Sequence, residues 1–164
     1  MINAIRTRFS LRRPPKRTGE MRVRFPGRVW KRNSFLLWKG PSRISGIVQR
    51  VERPSHFARL FKEGDRVLEL HVESTQATDT IRLLRRFQEL IPELKKRRIV
   101  GIYGDSPNPV IRKRFVEDFR AVEIDPPEEV LEEVRARYLL RMKRQGYPAK
   151  YAETPIQRIV LRFK

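Results

Sequence analysis

Charge is distributed so unevenly along this chain that it limits where a core can form. Residues 1–50 carry 14 Lys and Arg against a single acid, Glu20, whereas residues 51–124 carry 15 against 12 and residues 125–164 carry 9 against 6. The formal net charge is +19. A stretch with that surplus repels itself on compaction unless an anion neutralises it. The expected organisation is therefore a basic extended arm over residues 1–20 followed by one α/β domain over residues 21–164. With 39% apolar residues, nine Phe, four Tyr and two Trp, the chain has the means to build a core. It has no cysteine and two histidines, His56 and His71, which excludes disulfides and thiol chemistry and leaves little for a metal centre. Its apolar runs are short, so neither a spanning helix nor a membrane partner is expected.

Arginine supplies 28 of the 38 cations. Guanidinium presents a planar fork that fits phosphate oxygens and stacks on bases. The candidate phosphate contacts are Arg6, Arg8, Arg12, Arg13, Lys16, Arg17, Arg22, Arg24, Arg28, Lys31 and Arg32. Phe9, Phe25, Trp30, Phe35 and Trp38 are interleaved with them, as stacking platforms for bases or as core residues of early strands. The first nineteen residues also have the acid-free, Arg-rich composition of a mitochondrial transit peptide. The function expected from this pattern is non-enzymatic. The chain reads as a basic structural component of a nucleic-acid-containing assembly, without a cofactor, alongside other proteins of that assembly. A virion or a cytoplasmic ribonucleoprotein is the expected setting, with an organelle ribosomal protein as the third alternative, and composition does not separate DNA from RNA.

Downstream, strands and helices alternate. Residues 21–38 read as extended around a Pro26-Gly27 turn, and residues 43–51 as a strand. In RVLELHVE (66–73), Leu68, Leu70 and Val72 alternate with Glu69, His71 and Glu73, a strand signal. The helix after it carries Ile81, Leu84, Phe87 or Gln88, and Ile91 on one face; Thr78 or Thr80 is expected to cap it and Pro92 to end or kink it. A buried strand is expected over 97–104, then a helix that begins at Asn108-Pro109 and stacks Ile111, Phe115 and Phe119. A short strand follows at 121–124. The helix over 127–145 has Glu at its start and Arg and Lys at its end, complementing the helix dipole. A last strand covers 156–163. The sum is an α/β domain with a mixed central sheet and three helices.

Residues 66–124 resemble the central core of the GNAT acetyltransferase superfamily. RVLELHVEST leads into Gln76-Ala77-Thr78-Asp79-Thr80-Ile81 and a helix, where that family has a Q/R-x-x-G-x-G/A turn that holds the pyrophosphate of acetyl-CoA. RRIVGIYG then leads to Asn108-Pro109 and RFVEDFRAVEI, similar to the family's Asn-led helix and RFYEKLGFVEI. The resemblance implies a GNAT-like fold and, in the alternative reading, an active N-acetyltransferase using acetyl-CoA bound at Gln76, Ala77, Thr78, Asp79 and Thr80. Asp79 and Ile81 stand where that turn has glycines, Val116 or Phe115 where the family's acid Tyr stands, and Arg120-Ala121 where it has Gly-Phe. These departures make the domain a degenerate member, as in some virion proteins of tailed phages.

In the enzyme reading the catalytic candidates are Glu69 as general base, His71 beside it, and Tyr103 as acid, because alternation puts Glu69, His71 and Glu73 on one face. Gly101-Ile102-Tyr103-Gly104-Asp105 lacks the Lys-Ser/Thr of a P-loop. GDRVLEL (64–70) opens like a methyltransferase strand but is followed by HVEST, not by a Gly-rich turn. Lys95, Lys96, Arg97 and Arg98 form a basic cluster, either a solvated run or an extension of a phosphate-binding surface.

Overall fold

A computed structural model describes residues 22–24, 34–39, 42–73, 77–145 and 149–164. Their strands are β1 (Arg22–Arg24), β2 (Ser34–Lys39), β3 (Ser42–Arg50), β4 (Arg66–Glu73), β5 (Gly101–Ser106), β6 (Val122–Ile124) and β7 (Gln157–Arg162). They form one mixed sheet in the order β1-β2-β3-β4-β5-β7-β6. Every neighbouring pair is antiparallel except β4 and β5, which are parallel. A parallel pair needs a crossover, and the helix α1 (Ala77–Lys96) supplies it. Helices α2 (Pro109–Phe119) and α3 (Glu128–Gln145) flank β6, and short 3-10 turns lie at Pro54–Phe57 and Ala149–Tyr151.

The alternation in β4 divides the interior between the two faces of the sheet. Leu68 and Leu70 join Leu37, Ile44, Leu83, Phe87, Ile102 and Phe115 under α1 and α2. On the other face Val67 and Tyr103 join Val51, Phe57, Phe61 and Val160, so the 54–61 segment covers that side. Leu37 and Ile44 are cross-strand partners, both fully buried, so the basic first fifty residues contribute to the core. Phe35 and Trp38 are β2 residues, in register with Gly46 and Arg43. Phe9, Phe25 and Trp30 lie outside the described residues, as does the arm over 1–20.

Three boundaries differ from the sequence reading. Pro92 neither ends nor breaks α1, which continues to Lys96. Proline lacks its N–H bond and its ring crowds the carbonyl four residues back, but the turn beyond it is anchored by Leu94, 1% exposed. Thr78 and Thr80 fall inside the first turn of α1, Thr78 exposed and Thr80 buried, so neither is a residue that precedes and caps the helix. The strand expected from residue 97 starts at Gly101, because Arg98 adopts a left-handed φ of 60° to close α1. Asn108 does cap α2, its Oδ1 accepting from the backbone N–H groups of Val110 and Ile111.

Gly101 has no room for a side chain between the neighbouring strand and Phe61. A Cβ there would lie 2.2 Å from the Leu161 carbonyl oxygen and 2.5 Å from Phe61 Cε1. The Gly101→Ala variant is therefore expected to lose stability at or beyond the upper end of the ~1–3 kcal/mol typical of overpacking, read as a lower urea midpoint.

Candidate functional site

The parallel pairing of β4 and β5 covers Val67–Gly101, Leu68–Ile102 and Glu69–Tyr103, and stops there. Beyond it the C-terminal ends of the two strands border a cavity of about 100 Å³, the position at which open α/β sheets place ligands. Its wall includes Leu70, His71, Asp105, Asn108, Phe115 and Ile159 from the sheet and α2, with Arg112 of α2 and Arg137, Tyr138 and Arg141 of α3.

The three catalytic candidates do meet. His71 Nε2 lies 3.3 Å from Glu69 Oε1, and the Tyr103 hydroxyl donates to Glu69 Oε2 at 3.2 Å. Gln49 Nε2 also donates to Oε2 at 3.2 Å, and Arg137 Nη1 stands 3.8 Å from Oε1. Burial by itself would raise the Glu69 carboxyl. The hydrogen bond and charge of His71, the charge of Arg137 and the Gln49 amide outweigh it and hold the group at about 2. Tyr103 moves the opposite way, raised by burial and by the Glu69 anion. A carboxylate this stabilised is a weak base and a phenol this disfavoured is a weak acid at neutral pH. Glu73, on the same face, is committed to Arg43 Nε at 2.7 Å and Arg141 Nη2 at 3.0 Å.

The Glu69 network sets an acid limit on stability. Its folded value of about 2 lies below the ordinary 4.5. The contribution is therefore complete above pH 4.5 and is lost as pH falls towards 2. The Glu69→Gln variant should be less stable at neutral pH, by about 3 kcal/mol at most, with the difference shrinking in acid; urea unfolding at neutral pH and at successively lower pH checks it.

Sequence reasoning missed the most buried charge in this region. Arg158 of β7 is 4% exposed. Its Nε and Nη2 donate to the two Asp105 carboxylate oxygens at 2.7 and 2.9 Å, and its Nη1 donates to the His56 carbonyl at 3.2 Å. The guanidinium lies 5.2 Å from the centre of Phe57 and 4.9 Å from that of Tyr103. Arg112 and Arg137 were also passed over. Arg112 Nη1 is 3.3 Å from Glu123 Oε1, yet among the described residues Nε of both Arg112 and Arg137 is buried without a hydrogen-bond partner.

The proposed cofactor turn is only partly within view. Gln76 lies outside the described residues, and Ala77, Thr78, Asp79 and Thr80 form the first turn of α1. Of the proposed nucleic-acid contacts, Arg22 and Arg24 belong to β1; Arg6, Arg8, Arg12, Arg13, Lys16, Arg17, Arg28, Lys31 and Arg32 lie outside the described residues. The 95–98 cluster is exposed: Lys95 donates to the Lys164 carbonyl, and Arg97 pairs with Glu93 at 3.2 Å. Among the described residues there is no grouping of His, Asp and Glu that could hold a metal ion, and no helix long and apolar enough to cross a membrane. Comparison with family models, curated proteins and solved structures finds no match for this chain.

Proposed function

We propose that this protein is a non-enzymatic, strongly basic structural component of a nucleic-acid-containing assembly, a virion or a ribonucleoprotein, and that its Arg-rich N-terminal arm neutralises phosphate backbone. The observation that carries the reading is the +19 charge and its concentration in residues 1–50. The domain itself adds support. Many of its acids are engaged internally, among them Asp65, Glu69, Glu73, Asp105 and Glu123. Arg82, Arg85 and Lys96, at helical spacing on the exposed side of α1, have no ion pair among the described residues. The test is affinity for a DNA or RNA duplex against salt, with the full chain and a chain lacking residues 1–20. An affinity that is flat in salt, or unchanged by the deletion, overturns the proposal.

The domain that carries the arm is proposed to be GNAT-like. Support comes from the order β4–α1–β5–α2–β6 and from the Asn108 cap of α2. Arg120, with φ of 58°, also stands in the left-handed position that a glycine favours, where the family has one. A second reading, the active N-acetyltransferase, is favoured by the cavity between the ends of β4 and β5. It requires saturable binding of acetyl-CoA by calorimetry, weakened when Gln76 and Asp79 are replaced. Absence of binding heat at two temperatures eliminates it.

A further inference from the structure

We infer that the end of the sheet opposite the cavity is a second phosphate-backbone surface, so that one copy of this chain bridges two nucleic-acid duplexes. The inference rests on the nucleic-acid reading and adds to it a site that the arm does not supply. Its first ground is convergence. Residues 50–52, 58–66, 93–98 and 162–164 hold ten Lys and Arg against four acids. The fold gathers these four segments at the ends of β3, β4, β5 and β7 that lie away from the cavity. There Arg50 is in register with Arg66, and Gly101 with Arg162. Arg66 Nη1 donates to the Arg97 carbonyl at 2.9 Å, Arg162 Nη1 to the Leu60 carbonyl at 3.0 Å, and Lys95 to the Lys164 carbonyl. Such bonds tie the segments together before any ligand arrives, which lowers the ordering cost of binding.

The second ground is the state of these charges. Of the four acids, Asp65 is held by Arg162 at 3.1 Å and Glu93 by Arg97 at 3.2 Å. Arg50, Arg59, Lys95, Lys96 and Arg98 are exposed and have no ion pair among the described residues. Like charges directly opposite one another, as Arg50 and Arg66 are, repel, and an anion shared between them relieves that. The large exposed apolar side chains among the described residues, Ile47, Val110, Val116, Val122, Leu139 and Leu140, all lie outside the four segments. That suits a phosphate backbone and not a membrane surface, which takes up apolar groups beside the basic ones. The third ground is separation. β1, which follows the arm in the chain, begins at Arg22, in one cross-strand row with Trp38, Arg43 and Glu73 at the cavity end. The seven residue steps from Arg66 to Glu73 span about 23 Å, against a screening length of about 8 Å at physiological salt. The strand that the arm leads into thus starts far enough from the basic end for the two to act as separate sites.

Energy transfer between two short duplexes, one carrying a donor and the other an acceptor, tests this with the full chain and with duplex in excess over protein. The wild type is expected to give transfer. The triple variant Arg50→Gln, Arg59→Asn and Arg98→Asn removes a cation from three of the four segments. Asparagine is chosen where φ is left-handed, 56° at Arg59 and 60° at Arg98. At equal duplex occupancy this variant should lose transfer, and its slope of log affinity against log salt should fall by about 3. A lysine variant, Arg50→Lys, Arg59→Lys and Arg98→Lys, keeps the charge and should keep transfer. Wild-type binding without transfer, transfer undiminished in the first variant, or transfer lost in the lysine variant overturns the inference and leaves the nucleic-acid reading standing. No duplex binding by the wild type overturns both. Vesicles rich in phosphatidylserine that bind the wild type and not the first variant, with duplex transfer unchanged, would assign this end to a membrane and overturn the inference as well.

Discussion

Replacing Arg158 with methionine is expected to cost about 3–5 kcal/mol of stability, the range for breaking a buried ion pair from one side. The size follows from what is left behind. Asp105 is buried with both oxygens directed at the lost guanidinium, and the His56 carbonyl loses its donor. The methionine stem restores some contact with Phe57 and Tyr103 but no hydrogen bond. Adding Asp105→Asn to Arg158→Met should recover part of the loss, because a neutral amide is far cheaper to bury than an unpaired carboxylate. Urea unfolding of both single variants and the double variant gives the coupling energy directly. Additive losses would show that the pair contributes packing alone.

The second large effect concerns nucleic acid. Residues 1–20 hold six cations: Arg6, Arg8, Arg12, Arg13, Lys16 and Arg17. If each neutralises one phosphate of a duplex, their removal should lower the slope of log affinity against log salt by about 5. Over a fourfold rise in salt, from ~50 to ~200 mM, the arm's share of binding then falls by about a thousandfold. Direct titration at several salt concentrations separates this from sequence recognition, since phosphate contacts weaken with salt whatever the base sequence. A slope that stays the same after the deletion would move the binding surface onto the domain, where the α1 stripe of Arg82, Arg85 and Lys96 is the next candidate.

Local signals reached a good part of the fold. β4 spans the residues that its alternation marks, Arg66 to Glu73. Asn108-Pro109 starts α2, and the ordered charges of residues 128–145 delimit α3. Each of these depends on neighbours within one or two turns of chain. What escaped depends on distant partners. Arg158 looks like an ordinary polar position in IQRIVLRF, and only the pairing of β5 with β7 brings Asp105 to it from 53 residues away. Glu69 and His71 are adjacent on one face by alternation, but it is the parallel register that brings Tyr103 to them. That same closeness, with Arg137 arriving from α3, turns a plausible base into a fixed anion. Arg112, Arg137 and Arg141 come together only where α2 and α3 meet at the cavity wall.

The seam between β4 and β5 has a mechanical consequence. Three residue pairs join the antiparallel block β1–β4 to the antiparallel block of β5, β7 and β6, whereas β3 and β4 share eight. Tension applied between β1 and β7 has to cross that short join within the sheet. β1 and β2 share three pairs as well, so the load concentrates at these two joins, and at the β4–β5 join α1 and its packing of Phe87 on Phe119 tether the halves. The sheet thus has two short joins under such a pull, and the one beside the cavity is the one whose halves stay bridged by a helix, a hinge within the domain.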